Sequence, residues 1–420
     1  MRLGMLLFGL AAMSAWIAHA VPRVEQDDVQ VDNYQGVLRV GYTLRDDPGI
    51  VTFSVETNAE DGAWIPLGGD ILRSVSGTAN CLVRAPGPQR IEWRAYRDMP
   101  DVQLAPGRLR VSLRAWATNA PPAWMSVGLE SPSTVNYYAD EAALPFPPTN
   151  RIWKTDMMLL RRIPAAFVEW RMGVAAQENG SRQNGWDWTR ETGHRVTLTR
   201  DYYMAIYALT QYQYVKITGK SNPSHFQDTC AECGDDEDAV ATRPVESVSY
   251  ADAVTSGSGP VERLRAMTGI ASFNVPTGAE WEYACHGGSS HALYSGKELE
   301  SVGYSTFSAN LGELAWHGSE NENPALGNAH AHTHPVGLKI PNAYGLYDML
   351  GNVEERTRDW FRTDLGADDV VDPEEITQTD APAHATYGGH WGRPAYRVRC
   401  CCRNYYETAS KVCGMRVMCY

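Results

Sequence analysis

The chain has 420 residues, enough for two domains, and its apolar fraction of 43% is ordinary for a globular protein. Its 50 acidic residues exceed its 37 basic residues, which gives a formal net charge of −13. A chain this acidic is not expected to bind nucleic acid or anionic membranes through its overall charge. Acidic loops remain compatible with divalent cations.

The first 20 residues have the pattern of a signal peptide. Arg2 precedes an apolar run over 3–17, and Ala18-His19-Ala20 fits the small-x-small cleavage pattern. This run is short for a membrane span, and no later segment is apolar for long enough to cross a bilayer. A buried helix and an uncleaved anchor are the alternatives. The pattern predicts export to the periplasm, cell surface or extracellular space, without a membrane span after cleavage.

Export affects how the nine cysteines are interpreted, because disulfides form in oxidising compartments. Five of them lie in the last 21 residues, where we expect disulfides. The number is odd, so at least one thiol is free or pairs with another chain. Cys230 and Cys233 lack a second pair at zinc spacing, which favours a disulfide over a metal site. The cysteines are Cys81, Cys230, Cys233, Cys285, Cys400, Cys401, Cys402, Cys413 and Cys419.

Residues 21–130 are predicted to form a small β-sandwich. Segments such as "VLRVGYTL", "IVTFSVET" and "RLRVSLRAWA" carry β-branched or aromatic residues at roughly every second place, and turn clusters separate them. Short strands at this spacing are typical of an antiparallel sandwich. They carry no cluster of reactive side chains, which favours a structural or adhesive role. The Pro-, Ser- and Asn-rich stretch that follows predicts a linker over 131–164 and a second domain over 165–420.

Two helical regions are predicted in the second domain. One runs from Val245 to Thr268, and the other runs from Thr277 to Cys285. Thr277 and Glu280 have the spacing of a capping box, in which each side chain bonds to the other residue's backbone amide. Elsewhere this part is rich in Trp and Gly and has few regular runs, which is typical of an irregular α+β fold.

Six blocks, in order over 165–420, resemble the formylglycine-generating enzyme (sulfatase-modifying factor) domain. "RMG" and "HRVTLTRDYYMAIYALTQYQY" resemble its opening strands and first helix, and "RPVESVSYADAV" resembles its P-V-x-x-V-S-W-x-D-A block. "VPTGAEWEYACHGG" is similar to L-P-T-E-A-E-W-E-Y-A-x-R-G-G, and "PNAYGLYDMLGNVEERTRDW" is similar to P-N-x-x-G-L-Y-D-M-x-G-N-V-W-E-W-x-x-D-W. "YGGHWGRPAYRVRCCCR" with "CGMRV" resembles the R-G-G-S-W … R … R … G-F-R ending. The resemblance implies an irregular α+β fold related to C-type lectins, preceded here by an all-β sandwich-like domain.

The resemblance also implies a calcium site in "GLYDMLGNVEE". Carried over by position, its ligands are the Asp348 and Glu355 side chains and the Gly351 and Val353 carbonyls. Calcium takes six to eight oxygens of these kinds. The alternative is a turn held by hydrogen bonds without metal.

Four further residues bear on calcium. Glu354 and Arg356 stand where the family usually has Trp, and Arg356 is placed to pair with a carboxylate and compete with the cation. A second calcium site of the family would begin at Asn310 and Leu311, and its other half falls in a divergent stretch.

The family's enzymes bind copper through two cysteines five residues apart and oxidise a substrate cysteine with dioxygen, because Cu(I) prefers thiolate ligands. Those places fall near His390 and Ala395, so copper is not expected. Cys400 and Cys402 remain candidates with His390 for a rebuilt site, although three consecutive cysteines point in different directions. His330, His332 and His334 could share one strand face as metal ligands, but a polar loop is favoured.

Three functions remain open. The first is an exported, calcium-stabilised binding scaffold for a protein, glycan or peptide, with exposed Tyr, Trp and His side chains between Tyr387 and Tyr406 as its binding face. The second is a metal-dependent oxidoreductase of the formylglycine-generating or non-heme iron type with divergent ligands, centred on His390, the histidine cluster or the cysteine run. The His-x-x-x-His-x-Glu motif of the non-heme iron relatives is absent from the sequence. The third is a structural surface module.

Overall fold

The computed structural model describes residues 21–58, 62–101, 107–174, 188–230, 236–300, 307–319 and 327–420, so the predicted signal peptide and Cys233 lie outside the described residues. The first part of the chain folds as two antiparallel sheets. Its elements are β1 Gln30–Tyr34, β2 Val37–Leu44, β3 Gly49–Asn58, β4 Trp64–Pro66, β5 Val75–Gly77, β6 Cys81–Val83, β7 Gly87–Arg94, α1 Ala95–Asp98 and β8 Leu109–Trp116.

One sheet has the order β1-β2-β7-β5, and the other has β4-β3-β6 with β8 also paired to β3. Side chains of β2 alternate between buried and half-buried positions, as a period of two requires. Val40, Phe53 and Trp93 from three different strands meet in one buried cluster between the sheets. This arrangement agrees with the predicted all-β sandwich-like fold.

The second part of the chain begins before residue 130. Its strands are β9 Trp124–Gly128, β10 Val135–Tyr138, β11 Met157–Ile163, β12 Val168–Met172, β13 His194–Leu198, β14 Tyr202–Ala205, β15 Glu354–Trp360, β16 Val370–Val371, β17 His384–Tyr387, β18 Arg403–Tyr405, β19 Cys413–Gly414 and β20 Met418–Cys419. Its α-helices are α2 Gln211–Thr218, α3 Glu237–Ala241, α4 Pro260–Thr268, α5 Gly278–His286 and α6 Ala309–Gly312. The combination of short helices with several small sheets confirms the predicted α+β class.

The linker predicted over 131–164 is wrong. Strands β10 and β11 fall inside that range, and they belong to a five-stranded sheet of order β10-β9-β11-β14-β20. The Pro residues that suggested a linker occupy its turns, as at the cis peptide between Ser131 and Pro132. The two parts therefore meet between β8 and β9, over residues 117–123.

The sandwich packs against this five-stranded sheet. Ile50 from β3 belongs to the same buried cluster as Met125 and Tyr137, and Trp116 packs at its edge. The Tyr137 amide donates a hydrogen bond to the Asn80 carbonyl at 2.7 Å. Apolar burial and backbone pairing thus join the two parts directly.

Helix α5 confirms the predicted N-terminus. The Thr277 hydroxyl accepts from the Glu280 amide, and the Glu280 carboxylate accepts from the Thr277 amide, which completes the capping box. The other predicted helix is shorter than expected, because a π-helical turn over Ala251–Thr255 and a break at Gly259 precede α4. Buried residues of α5 contribute to the largest core cluster of this part.

Two smaller sheets complete the fold. One has the order β12-β13-β16, and the other has β18-β17-β15-β19. Strand β15 follows directly on the "GLYDMLGN" turn, so the predicted calcium turn and the predicted catalytic region meet at this second sheet. Within the described ranges, no helix combines the length and apolar character that a membrane span needs.

Candidate functional site

Buried side chains without sulfur occupy both places of the family's copper cysteines. His390 is 4% exposed, and Ala395 is 0% exposed. His390 Nδ1 accepts a hydrogen bond from the Gly392 amide at 3.0 Å, so the neutral ring carries its proton on Nε2. That nitrogen lies 4.0 Å from Glu354 Oε1. Burial, together with nearby arginines, holds the pKa of His390 well below its ordinary value, which keeps the ring neutral.

Glu354 is the centre of the polar contacts at this place. The Thr386 hydroxyl donates to its Oε2 at 2.6 Å, and the Tyr406 hydroxyl donates to its Oε1 at 3.2 Å. Arg393 Nε lies 3.4 Å from the same Oε1 and balances the charge. Each partner matches a requirement of a buried carboxylate, which needs hydrogen bonds and a counter-charge.

The space beside Glu354 is nearly filled. The cavity that Glu354 lines with Arg393 and Cys402 has a volume of about 10 Å³, room for about one water molecule. A substrate side chain does not fit there. The place that holds the reaction centre in the family's enzymes is a hydrogen-bonded polar cluster in this chain.

The cysteines of the C-terminal part are buried free thiols, which contradicts the disulfides predicted there. Burial raises the pKa of Cys402 and of Cys413 to about 12. At neutral pH these thiols are protonated, and the thiolate is the form that binds metals. Earlier in the chain, Cys230 is disulfide-bonded.

Cys400 and Cys402 face different surroundings. The Cys400 thiol lies near the Cys285 thiol and the His286 ring, whereas Cys402 lies beside Glu354. Burial raises the pKa of Cys400 as well. Within the described part of the chain, no group of three or more His, Cys, Asp or Glu side chains is placed to hold a metal. The structure therefore does not bring the candidates His390, Cys400 and Cys402 together as ligands.

The predicted calcium turn contains a buried carboxylate with one unsatisfied oxygen. Asp348 is 3% exposed, and its Oδ2 accepts from the Gly337 amide at 2.6 Å. Its Oδ1 has no hydrogen-bond partner in the described structure. Burial raises the pKa of Asp348 to about 6. Positive φ angles at Gly351 (73°) and Asn352 (61°) form the turn beside it. Asp348 fits a cation, because an oxygen-binding ion would satisfy this oxygen.

Glu355 fits a cation less well than Asp348 does. Arg416 binds both of its carboxylate oxygens at distances from 2.7 to 3.1 Å, and Trp281 Nε1 donates to Oε2 at 2.7 Å. Calcium would have to share these oxygens with three donors. Among the described residues Arg356 pairs with no carboxylate, so the predicted pairing is wrong: its guanidinium donates to carbonyls, including those of Val248 at 3.1 Å and Thr408 at 3.0 Å.

At the second predicted calcium site, the Leu311 carbonyl does not fit the ion. The Leu311 carbonyl already accepts hydrogen bonds from the Leu314 and Ala315 amides, both at 2.9 Å. A carbonyl oxygen has two lone pairs, so this one is fully used. Asn310 donates its side-chain amide to the Glu298 carbonyl at 3.0 Å.

The histidine cluster has structural contacts. His334 stacks on Trp316 with ring centroids 3.8 Å apart, and its Nε2 lies 3.0 Å from the Ala329 carbonyl. His332 packs on Phe226 at 4.3 Å. These contacts favour the packed-loop interpretation over a metal site.

The binding face predicted between Tyr387 and Tyr406 is wrong for most of its aromatic residues. Tyr387, Trp391 and Tyr396 are each exposed by 2% or less, because they pack into the core. Sequence reasoning also missed the contacts that Arg393 and Tyr406 make with Glu354. The one available signal was the replacement of the family's Trp by Glu354.

Comparisons with known proteins place these observations in a family. The family described as "Sulfatase-modifying factor enzyme 1-like domain" matches residues 169–419, more than half of the chain. Relatives include a chaperone protein LppX from Paenibacillus barcinonensis, 32% identical over 39% of this chain and 64% of that protein. The formylglycine-generating enzyme of Mus musculus is 30% identical over 43% of this chain and 44% of its own length.

The chain spans less than two thirds of each of these two relatives. Among solved structures, Treponema denticola variable protein 1 is 25% identical with a TM-score of 0.46, covering 63% of this chain and 95% of that one. PvdO from Pseudomonas aeruginosa is 22% identical with a TM-score of 0.45, covering 62% and 94%. From the match over 169–419, the chain belongs to the sulfatase-modifying factor enzyme 1-like domain family.

Proposed function

We propose that this protein is an exported member of the family that does not carry out copper-dependent oxidation and serves as a calcium-stabilised binding scaffold. One observation carries the proposal: His390 and Ala395, buried beside a Glu354-centred polar cluster, stand where copper oxidation needs two thiolates. A neutral imidazole and a methyl group supply neither two soft ligands nor a thiolate. The sandwich joined to the second domain suits presentation of that domain to a protein, glycan or peptide partner.

The buried thiols support the same proposal. An oxidase that used the cysteine run would need Cys400 or Cys402 as thiolates, and burial raises the pKa of both. Their surroundings supply no cation that counters this effect enough to ionise them. That one relative is named a chaperone is consistent with a role other than oxidation.

Calcium enters the proposal through Asp348. Its unsatisfied Oδ1 and the adjacent positive-φ turn would hold the ion together with the Gly351 and Val353 carbonyls and a shared oxygen of Glu355. A bound calcium would neutralise the buried charge and fix the turn that leads into β15. Its role is structural stabilisation.

The decisive experiment is metal analysis of the purified chain combined with oxygen consumption on cysteine-containing peptides. We expect calcium without stoichiometric copper or iron, and no oxygen uptake above that of buffer. Stoichiometric copper or iron with turnover would overturn the proposal, above all if Cys400→Ala or Cys402→Ala abolished turnover while near-UV circular dichroism stayed unchanged.

A further inference from the structure

A second, larger cavity shares Arg403 with the small cavity beside Glu354. It has a volume of about 330 Å³ and lies between the β12-β13-β16 sheet, the N-terminus of α5 and the β15–β17 pair. Its lining includes Met172, His194, Trp360, Val370 and Tyr387. This volume is at the lower end of the range for small-molecule sites, so the cavity admits a ligand of about one ring.

The hydroxyl of Tyr387 is unpaired at this cavity. The residue is 2% exposed, and its ring packs on Trp281 with centroids 5.2 Å apart. Within the described part of the chain, the hydroxyl makes no hydrogen bond. Its oxygen also keeps some contact with solvent. A tyrosine hydroxyl usually finds a partner when its ring is buried. Because Tyr387 lines the cavity, its hydroxyl can donate a hydrogen bond to a ligand bound there.

His194 supplies the complementary group. It is 4% exposed, and its Nδ1 lies 3.2 Å from the Thr192 carbonyl oxygen. A carbonyl only accepts, so Nδ1 carries the proton and the neutral ring has its lone pair on Nε2. No protein partner for Nε2 occurs in the described structure, and this atom too is not sealed from solvent. The cavity therefore offers one donor and one acceptor from two buried side chains.

Two departures from the family's blocks coincide at this point. The family's motif has Glu at the position of Gly278 and Arg at the position of Tyr387. A Cβ on Gly278 would lie 2.4 Å from the Tyr387 hydroxyl oxygen, so the tyrosine needs the glycine. Together the two changes replace charged side chains with a neutral hydroxyl beside the cavity.

The charges around the cavity are already satisfied. Arg403 donates to the carbonyls of Arg190, Arg362 and Thr363. Asp359 accepts from the Gly278 amide at 2.6 Å and from the Glu375 amide at 2.9 Å. Arg362, the other arginine in the lining, is paired with Glu375 Oε2 at 2.9 Å. An anionic ligand would have to compete with this carboxylate for Arg362, which favours a neutral ligand.

The walls supply apolar and aromatic surface. Met172, Leu365 and Val370 contribute aliphatic side chains to the lining, and Trp360 contributes an aromatic one. The Trp360 ring stacks on His384 with ring centroids 4.2 Å apart. A sugar ring has C–H faces that pack on such surfaces and hydroxyls that both donate and accept.

We propose that this cavity binds one neutral sugar ring, with hydroxyl groups paired to Tyr387 Oη and His194 Nε2. This inference rests on the proposed scaffold function and names its ligand class and its site. The ring is either a free monosaccharide or the terminal residue of a glycan, since both present the same hydroxyls.

The test uses the full chain without its signal peptide, with a panel of neutral monosaccharides, the uronic acids derived from them, and amino-acid amides. Thermal shift and saturation-transfer NMR are the readouts. We expect at least one neutral sugar to raise the unfolding temperature, since a ligand that binds only the native state stabilises it. A glycan that ends in that sugar, compared with the same glycan after removal of its terminal residue, identifies the source.

Two variants assign the site. Tyr387→Phe removes only the hydroxyl, and His194→Asn retains a donor near Nδ1 while removing Nε2. Each is expected to weaken binding up to about tenfold, the effect of one lost hydrogen bond. Tyr203→Phe is the matched control, because its buried hydroxyl donates to the Pro122 carbonyl instead. If Tyr387→Phe fails to fold, His194→Asn alone decides.

The proposal is refuted if no neutral sugar binds, if uronic acids or amides bind better, or if both variants bind as the wild type does. Loss of the sugar site alone, in a copper-free chain without oxygen uptake, would leave the scaffold function standing. Copper-dependent turnover would refute the scaffold whatever the sugar result.

Discussion

Breaking the ion pair between Arg416 and Glu355 is expected to destabilise the second domain strongly. The two side chains are 0% and 1% exposed, and Arg416 Nη2 lies 2.7 Å from Glu355 Oε1. Arg416 also donates to the Ala205 carbonyl at 2.9 Å and the Tyr347 carbonyl at 2.7 Å, so it joins β14 to the turn before β15. Arg416→Met keeps most of the side-chain volume and removes every one of these donors.

The expected cost follows from burial. Removing one partner of a buried pair leaves the other charge without compensation, at about 3–5 kcal/mol. Trp281 Nε1 still donates to Glu355, which places the expectation near the middle of that range, about 4 kcal/mol. For a domain of this size that corresponds to a fall in Tm of roughly 8–16 °C. Glu355→Gln should cost about as much, because Arg416 then remains as the buried charge.

The double variant Arg416→Met/Glu355→Gln makes the test specific to the pair. Its cost should be about 2–3 kcal/mol smaller than the sum of the two single costs, since no unpaired buried charge remains. The assay is guanidinium unfolding followed by tryptophan fluorescence, in EDTA so that calcium does not contribute. Arg195→Met is the control, because it breaks exposed pairs with Glu169 and Asp369 that solvent screens. Additive single costs, or a cost below about 1 kcal/mol for Arg416→Met, would refute the reasoning.

Three further outcomes are expected. In calcium, the wild type should unfold at a higher temperature than in EDTA, whereas the unfolding temperature of Asp348→Asn should not depend on calcium. In EDTA at pH 7, the free energy of unfolding of Asp348→Asn should exceed that of the wild type by up to about 3 kcal/mol. The reason is that a carboxyl whose pKa is raised from 3.8 to about 6 destabilises the native state at higher pH. A calcium response in Asp348→Asn equal to that of the wild type would contradict this assignment. Burial lowers the pKa of His317 from 6.5 to about 4, so as pH falls this side chain is protonated in the unfolded protein before it is protonated in the native protein. The free energy of unfolding therefore decreases as the pH drops from 6.5 to 4. His317→Gln should therefore gain about 3 kcal/mol relative to the wild type across that window, and parallel pH profiles of the two proteins would rule this out. Cys402 and Cys413, buried and protonated, should resist a thiol reagent until the chain unfolds; labelling of either in the native protein at the rate of an exposed thiol would contradict the structure.

Local patterns carried most of the fold prediction. The capping box at Thr277 and Glu280 depends on residues three apart, and the alternation of β2 depends on its own side chains, so both were predicted correctly. The linker prediction failed because composition marks turns as well as linkers. "MMLLRRI" carries an apolar run that only its neighbours β9 and β14 identify as a central strand.

The site depended on contacts across the chain. Thr386 lies 32 residues and Tyr406 lies 52 residues from Glu354, so no local pattern predicts that their hydroxyls converge on its carboxylate. The aromatic residues around Tyr387 were predicted to be exposed because a loop-rich segment was expected to be a surface. The core cluster instead draws Tyr387 and Tyr396 inward.

Glu354 and Arg356, which stand where the family has two tryptophans, show how buried charged residues can replace aromatic ones within this fold. Each enters a buried site with a new set of partners: Glu354 gains hydroxyl donors and Arg393, and Arg356 gains carbonyls on the segment that follows β18, including Thr408 at 3.0 Å. A buried charge is tolerated only when its partners are fixed in place, so both substitutions tie that segment to β15. The network that satisfies Glu354 leaves a cavity of only about 10 Å³ beside it. Restoring cysteines at 390 and 395 alone is therefore not expected to restore oxidation, because the Glu354 cluster would still exclude the substrate.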